Sequence, residues 1–229
     1  MATVNKLLEN MMFANLFGSL AFIGAFFGLV GLAMAVIVAL LTRHFRAAWR
    51  IGWLMLAWAG VYIAVLLLAS FTSSPRRLDL GQEHCFDEMC FSVQSVTTTK
   101  TLGTGSNQIT ANGVYYLVTV QLRNAALRQP QKPSQPAVWV IDAQGRKYTE
   151  AVSAAEKQGP PFGQSVAFPQ LWNQRLQPGE NQAHILAFDL PADVSQPALV
   201  ITEGGGPTYL IIGDENSFFH SKTEFRLAG

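Results

Sequence analysis

Two stretches without a charged side chain dominate the first third of the chain. Residues 10–42 contain no Asp, Glu, Lys or Arg, and residues 51–74 contain none either. A helix needs roughly 20 apolar residues to cross about 30 Å of hydrocarbon at about 1.5 Å per residue. The pattern predicts a transmembrane α-helical hairpin in residues 1–74, with helices over about 12–42 and 51–72. The first stretch is about twice as long as the apolar core of a signal peptide, and no clear basic region precedes it, so it reads as retained. Residues 43–50, which join the two stretches, carry Arg43, Arg46 and Arg50. Positively charged loops stay in the cytoplasm, which predicts that both chain termini lie outside. Trp49 and Trp53 fall where an interfacial aromatic belt is expected.

Small residues recur on both apolar stretches. Gly18, Gly24, Gly28 and several Ala mark one face of the first, and Ala57, Gly60 and Ala64 mark one face of the second. Small side chains let helix backbones approach closely in lipid. The expected use is packing of the two helices on each other; the alternative is pairing of the first with another protein or a second copy. Neither stretch holds an acidic or basic side chain. Such groups mark ion paths and proton relays, so a channel or transporter built from this chain alone is disfavoured.

Residues 75–80 read as a short linker. Beyond it the pattern changes to period two. Val114, Tyr116, Val118, Val120 and Leu122 alternate with Tyr115, Leu117, Thr119, Gln121 and Arg123, and His184, Leu186, Phe188 and Leu190 alternate again. Further short strands are expected from Phe91, over 137–141, around Tyr148, and over 198–202, 208–212 and 223–227. Turn signals separate them: Asp142-Ala-Gln-Gly145, Pro178-Gly179-Glu180 and Gly204-Gly-Gly-Pro207. Seven or eight short strands punctuated in this way predict a β-sandwich over residues 81–229. A domain of that length can bury enough surface to be stable.

The run from Cys90 to Leu227 resembles the bacterial telokin-like, immunoglobulin-like extracellular domain family of unknown function, which is similar in fold to a mycobacterial secreted immunoprotective antigen. The resemblance rests on Phe91-Ser-Val-Gln-Ser-Val96, Tyr116-Leu-Val-Thr-Val-Gln-Leu-Arg-Asn124, Val140-Ile-Asp-Ala-Gln-Gly-Arg-Lys-Tyr148, Leu176-Gln-Pro-Gly-Glu180 and Leu186-Ala-Phe-Asp-Leu-Pro191. These are signatures of strands and turns and carry no catalytic residues. The resemblance implies an all-β immunoglobulin-like sandwich, here attached to an N-terminal transmembrane hairpin, outside the cytoplasm of a bacterial cell. The two-helix anchor departs from the lipid or single-helix tether usual for such domains.

Net charge is +1 for the chain and −2 from Ser73 onward. No basic patch is present, so nucleic acid is not an expected partner; the bilayer and a protein partner or second copy are. Cys85 and Cys90, with four residues between them before the first strong strand, can close a small disulfide loop, as suits a chain outside the cytoplasm. The alternatives are a redox pair, although redox motifs usually have two intervening residues, and a zinc site drawing on His84, Cys85, Cys90 and His220. Nothing in the spacing demands a metal, and no cofactor is expected. Gly163-Gln-Ser165-Val-Ala167 misses the nucleophile elbow at its last position. Residues 150–176 lack a regular pattern and hold Phe162, Phe168 and Trp172, aromatic anchors suited to an interaction loop or to closing one end of the core.

The functional expectation is therefore a non-enzymatic, membrane-anchored sandwich that works as an interaction or sensing module at the cell envelope. A subunit assembled through the hairpin and a small redox protein using Cys85 and Cys90 are the alternatives.

Overall fold

A computed structural model gives the fold and describes residues 2–103, 108–134, 136–151, 174–204 and 206–227, with side chains from Phe17 onward. The chain forms two compact units. One comprises Met1–Ser74 with Gly205–Ser221, and the other Pro75–Gly204 with Lys222–Gly229.

In the first unit, helix α1 spans Ala2–Leu41 and helix α2 spans Phe45–Phe71. The expected eight-residue link is in fact a tight turn. Arg43 takes a left-handed backbone (φ 58°). Its N–H bonds the Leu40 carbonyl at 3.0 Å, and that of His44 bonds the Ala39 carbonyl at 2.7 Å. This pair of bonds is a Schellman closure, which caps the last carbonyls of α1. Residues 45–50 belong to α2 because Arg46, Ala47, Ala48 and Arg50 favour a helix, and charge alone does not end one. The facing surface is small: Ala25, Ala39 and Ala48 are buried, and Leu66 is 3% exposed. A Cβ at Gly28 would meet the Trp58 indole at 3.2 Å, whereas Gly24 and Gly60 face open space. Within the small-residue stripe, then, Gly28 serves packing of α1 against α2.

The second unit is a sandwich. One sheet has the order β1-β9-β8-β5-β6, built from Arg77–Leu78, Glu224–Arg226, Ala198–Thr202, Ala137–Ile141 and Lys147–Tyr148. The other has the order β2-β3-β4-β7, built from Glu83–Phe86, Met89–Leu102, Ile109–Asn124 and Asn181–Leu190. All neighbours are antiparallel except β1 and β9. Period-two patterning places Phe91, Val93, Val118, Val120, Leu122, Leu186, Phe188 and Leu190 of one sheet in a single core with Val140, Leu199, Ile201 and Phe225 of the other.

Two expectations need correction. The linker contains β1, and Leu78 is 4% exposed inside the sandwich core; a two-residue strand is too short to show periodicity. Residues 208–212 are not a strand. Gly206–Leu210 form a 3-10 helix, and residues 206–221 belong to the helical unit. Their apolar run matches a buried strand, but their partners are α1 and α2, as described below. On the other face of β4, Tyr115 and Leu117 join Leu102, Ala111 and Ala187 in a second cluster.

Candidate functional site

Cys85 and Cys90 form a disulfide across the β2–β3 hairpin, where they are register partners. Asp87 in the turn between them has φ 51°. Cys85 is exposed and Cys90 is 1% exposed. Arg123 of β4 holds the hairpin to its neighbour, donating to the Glu83 carboxylate at 2.9 and 2.7 Å and lying 3.8 Å from Cys90 Sγ. The hydrogen bond from Arg123 holds the Glu83 carboxyl below its ordinary value. Glu83, Cys85 and Cys90 place their ligand atoms within 4.8 Å of one another. Both sulfurs are consumed in the disulfide, so no thiolate is left for a metal in this state. Of the zinc set expected from the sequence, Cys85 and Cys90 are tied in the disulfide, and His220 belongs to the helical unit, with its Nδ1 2.8 Å from the Ser221 carbonyl.

The hairpin is one part of a braced end of the sandwich that the sequence did not reveal. At its centre is Asn124, the last residue of β4 and 0% exposed. Its amide donates to the carbonyls of Gln129 (3.0 Å) and Leu176 (2.8 Å), and its oxygen accepts the Ala126 N–H (2.9 Å). Its backbone N–H bonds the Glu180 carbonyl, and its carbonyl accepts from Gly179. One buried amide thus fixes the β4–β5 connection against the turn before β7. Glu88, in the β2–β3 turn, secures the other side: its carbonyl accepts the Ala125 N–H at 2.7 Å, and its carboxylate accepts the Gln131 side-chain amide at 2.6 Å. Out of this framework projects Leu127, 92% exposed, followed by exposed Arg128.

Glu203 is buried at the same end. Its Oε1 accepts the Ser134 N–H, its Oε2 has no partner among the described residues, and Asp87 adds negative charge nearby. Burial is the largest cause of a pKa raised from 4.5 to about 7; the Asp87 charge adds to it, and the Ser134 hydrogen bond opposes it. Between pH 4.5 and about 7 the folded chain keeps a proton that the unfolded chain has released. Glu203 therefore favours folding most at low pH, and its contribution falls as pH rises through that window, by on the order of 3 kcal/mol. Burial also lowers the pKa of His184, which acts in the opposite sense below pH 6.5, and raises that of Glu150 to about 7. Comparing wild type with Glu203→Gln isolates the Glu203 share, since Gln keeps an acceptor for Ser134. The melting temperature of Glu203→Gln relative to wild type should be higher at pH 8 than at pH 5.

The remaining sequence-level candidates scatter. Phe162, Phe168 and Trp172 lie outside the described residues. Gly18 does not pack on α2: a Cβ there would meet the Ile212 carbonyl oxygen at 2.1 Å, so α1 receives residues 206–221 at this point. Another close approach joins β4 to β7, where the Asp189 carboxylate accepts the N–H groups of Asn112 and Gly113 at 2.9 and 3.0 Å.

Among solved structures, the fold is similar to a conserved hypothetical protein from Bacillus anthracis (15% identity, 64% of this chain and 93% of that one, TM-score 0.44). It is also similar to an uncharacterised β-sandwich protein from Clostridium difficile (12% identity, 68% and 96%, TM-score 0.39). A third is the secreted protein MPT63 from Mycobacterium tuberculosis (16% identity, 59% and 93%, TM-score 0.38). No curated protein sequence matches the chain. Residues 78–207, which run from β1 through the braced end to the start of the 3-10 helix and make up more than half of the chain, match a single family profile, and the chain belongs to that family, the domain of unknown function DUF4352.

Proposed function

We propose that this chain is a membrane-anchored interaction module whose sandwich works outside the cytoplasm and presents the braced end around Leu127 to a protein partner. Both helices are long and apolar enough to cross a membrane. Their outward side chains, among them Phe17, Phe27, Trp53 and Leu68, are more than half exposed, a girdle that suits lipid rather than water. Arg43, Arg46 and Arg50 at the hairpin turn favour a cytoplasmic turn, which leaves the sandwich on the opposite side. The Cys85–Cys90 disulfide accords with an oxidising compartment.

The observation that carries the interaction reading is Leu127: an almost fully exposed leucine on a loop held by a buried amide and by two bonds to Glu88. A pre-ordered apolar anchor loses little entropy on binding. The test places a photo-cross-linking amino acid at Arg128 in the full chain in native membranes. One protein species should be captured, and Leu127→Asp should abolish its capture without lowering the melting temperature. Capture unaffected by Leu127→Asp, or no captured species, overturns the interaction reading. A periplasmic-type reporter fused after Leu227 should be active and one fused at His44 inactive; the reverse result overturns the orientation.

A further inference from the structure

The connection from β8 to β9 leaves the sandwich and returns to the helices. Residues 206–221 pack on α1 at Gly18 and on the C-terminal part of α2 and the residues just after it through a specific set of bonds. Tyr62 donates its hydroxyl to the Leu210 carbonyl at 2.5 Å. The Ser73 hydroxyl accepts the Ser221 N–H at 2.8 Å, and the Ser221 hydroxyl donates to the Ser73 carbonyl at 3.0 Å. Ser70 and Ser217 pair through their hydroxyls, and α1 offers the bare backbone of Gly18 to Ile212.

The same segment carries a ladder of rings. Tyr209 stacks on Phe218 with centroids 5.5 Å apart, Phe218 lies 6.5 Å from Phe219, and Phe219 stacks at 5.4 Å on Phe71, the last residue of α2. The four rings are 40%, 50%, 69% and 68% exposed in that order. Water is a poor solvent for such a surface, and Phe219 keeps its place at φ 62°, a left-handed backbone that is strained for a bulky residue.

We infer that residues 206–221 are a second, interfacial membrane anchor whose ladder Tyr209–Phe218–Phe219–Phe71 enters the boundary between headgroups and acyl chains of the outer leaflet. This rests on the reading of α1 and α2 as membrane spans. Depth supports it. Counting about 30 Å of hydrocarbon outward from Arg50 at about 1.5 Å per residue ends near Ser70, where the segment is bonded to the helix. Aromatic side chains concentrate at that level. Irregular backbone tolerates a lipid boundary only where its polar groups are satisfied. Here the N–H groups of Ile211, Asp214, Ser217, Phe218 and His220 bond carbonyls within the segment, and the Leu210 carbonyl is satisfied by Tyr62. The ladder is continuous with the apolar surface of α2 through Phe71, which makes lipid its occupant. The polar turn Asp214-Glu215-Asn216 interrupts the apolar run, so the segment lies at the surface rather than crossing it.

The test uses the full chain in phosphatidylcholine–phosphatidylglycerol vesicles with a nitroxide label at a single new cysteine; the native cysteines are tied in their disulfide. Labels replace Phe219, Phe218 (whose backbone is not left-handed), Phe27 within α1, and Arg128 as a water-exposed reference. The ratio of collision with oxygen to collision with a water-soluble nickel chelate reports depth. The expected order is Phe27 deepest, Phe218 and Phe219 intermediate and well above Arg128. If Phe27 matches Arg128, the spanning reading itself fails, and this inference with it. If Phe27 is deep while Phe218 and Phe219 match Arg128, the helices span and the interfacial anchor is overturned. Labels at 218 and 219 that are shielded from both reagents mean that a protein surface covers the ladder, which also overturns it.

Discussion

Gly113→Ala is expected to cost the sandwich about 3 kcal/mol or more, a large share of the stability of an ordinary domain. Gly113 lies in β4 where it passes the end of β7. A Cβ there would sit 1.9 Å from the Leu190 carbonyl oxygen, 2.7 Å from its carbon and 2.8 Å from Pro191 Cα. All three are backbone atoms, so no side chain can swing aside to relieve the clash. The strands are also locked in place: Val114 is in register with Leu190, the Asp189 carboxylate accepts the Gly113 N–H, and the Lys100 ammonium donates to the Gly113 carbonyl. Separating the strands to admit a methyl would disturb Phe188 and Leu190, both fully buried. The measurement is thermal unfolding of the full chain in detergent. A change of less than about 1 kcal/mol would show that β4 and β7 are not held together here.

Asn124→Ala is expected to destabilise by about 3 kcal/mol through a different mechanism. Truncation removes three hydrogen bonds at once and leaves the Leu176 carbonyl without its side-chain donor inside the protein, where lost desolvation weighs about 1–3 kcal/mol per group. The effect should also be local. The loop carrying Leu127 and the turn at Gly179 lose their common tie, so hydrogen exchange at Ala126 should quicken more than at Val118 in the centre of β4. The Ala126 N–H is the sharpest reporter, since its bond is to the deleted oxygen at 2.9 Å. Asn124→Asp separates the roles: it keeps the acceptor for Ala126 but supplies no donor for Gln129 and Leu176. It should restore part of the Ala126 protection and little of the stability. If Asn124→Ala leaves stability unchanged but abolishes partner capture at Arg128, the amide orders the loop without holding the fold.

Much of this molecule follows from local pattern. Two long uncharged stretches identify the helices, because each burial or insertion decision is made over many residues of one kind. Alternation over residues 114–122 and 184–190 identifies β4 and β7 and the residues of each that enter the core, because pleating puts every second side chain on one face. Cys85 and Cys90 pair because their spacing closes a hairpin. In each case the controlling interactions lie within a few residues along the chain.

Tertiary structure decided the rest. Arg43 ends α1 with a left-handed backbone, a conformation usually signalled by Gly, so the turn could not be placed from residue types. Leu78 and Phe225 meet through a parallel pair separated by most of the sandwich, and no local pattern records such a pairing. Asn124 looks like an ordinary strand-end polar residue; its partners Leu176 and Glu180 lie more than fifty residues away. The run Tyr209-Leu-Ile-Ile212 has the composition of a buried strand and the fate of a helix-bound segment. Composition reports that such a run must leave water, but the surface it joins is set by the distant Gly18, Tyr62, Ser70 and Ser73. Sequence by itself determined which residues avoid water and with what period. Only the fold decided which surfaces they meet, because that choice depends on groups brought together from far along the chain.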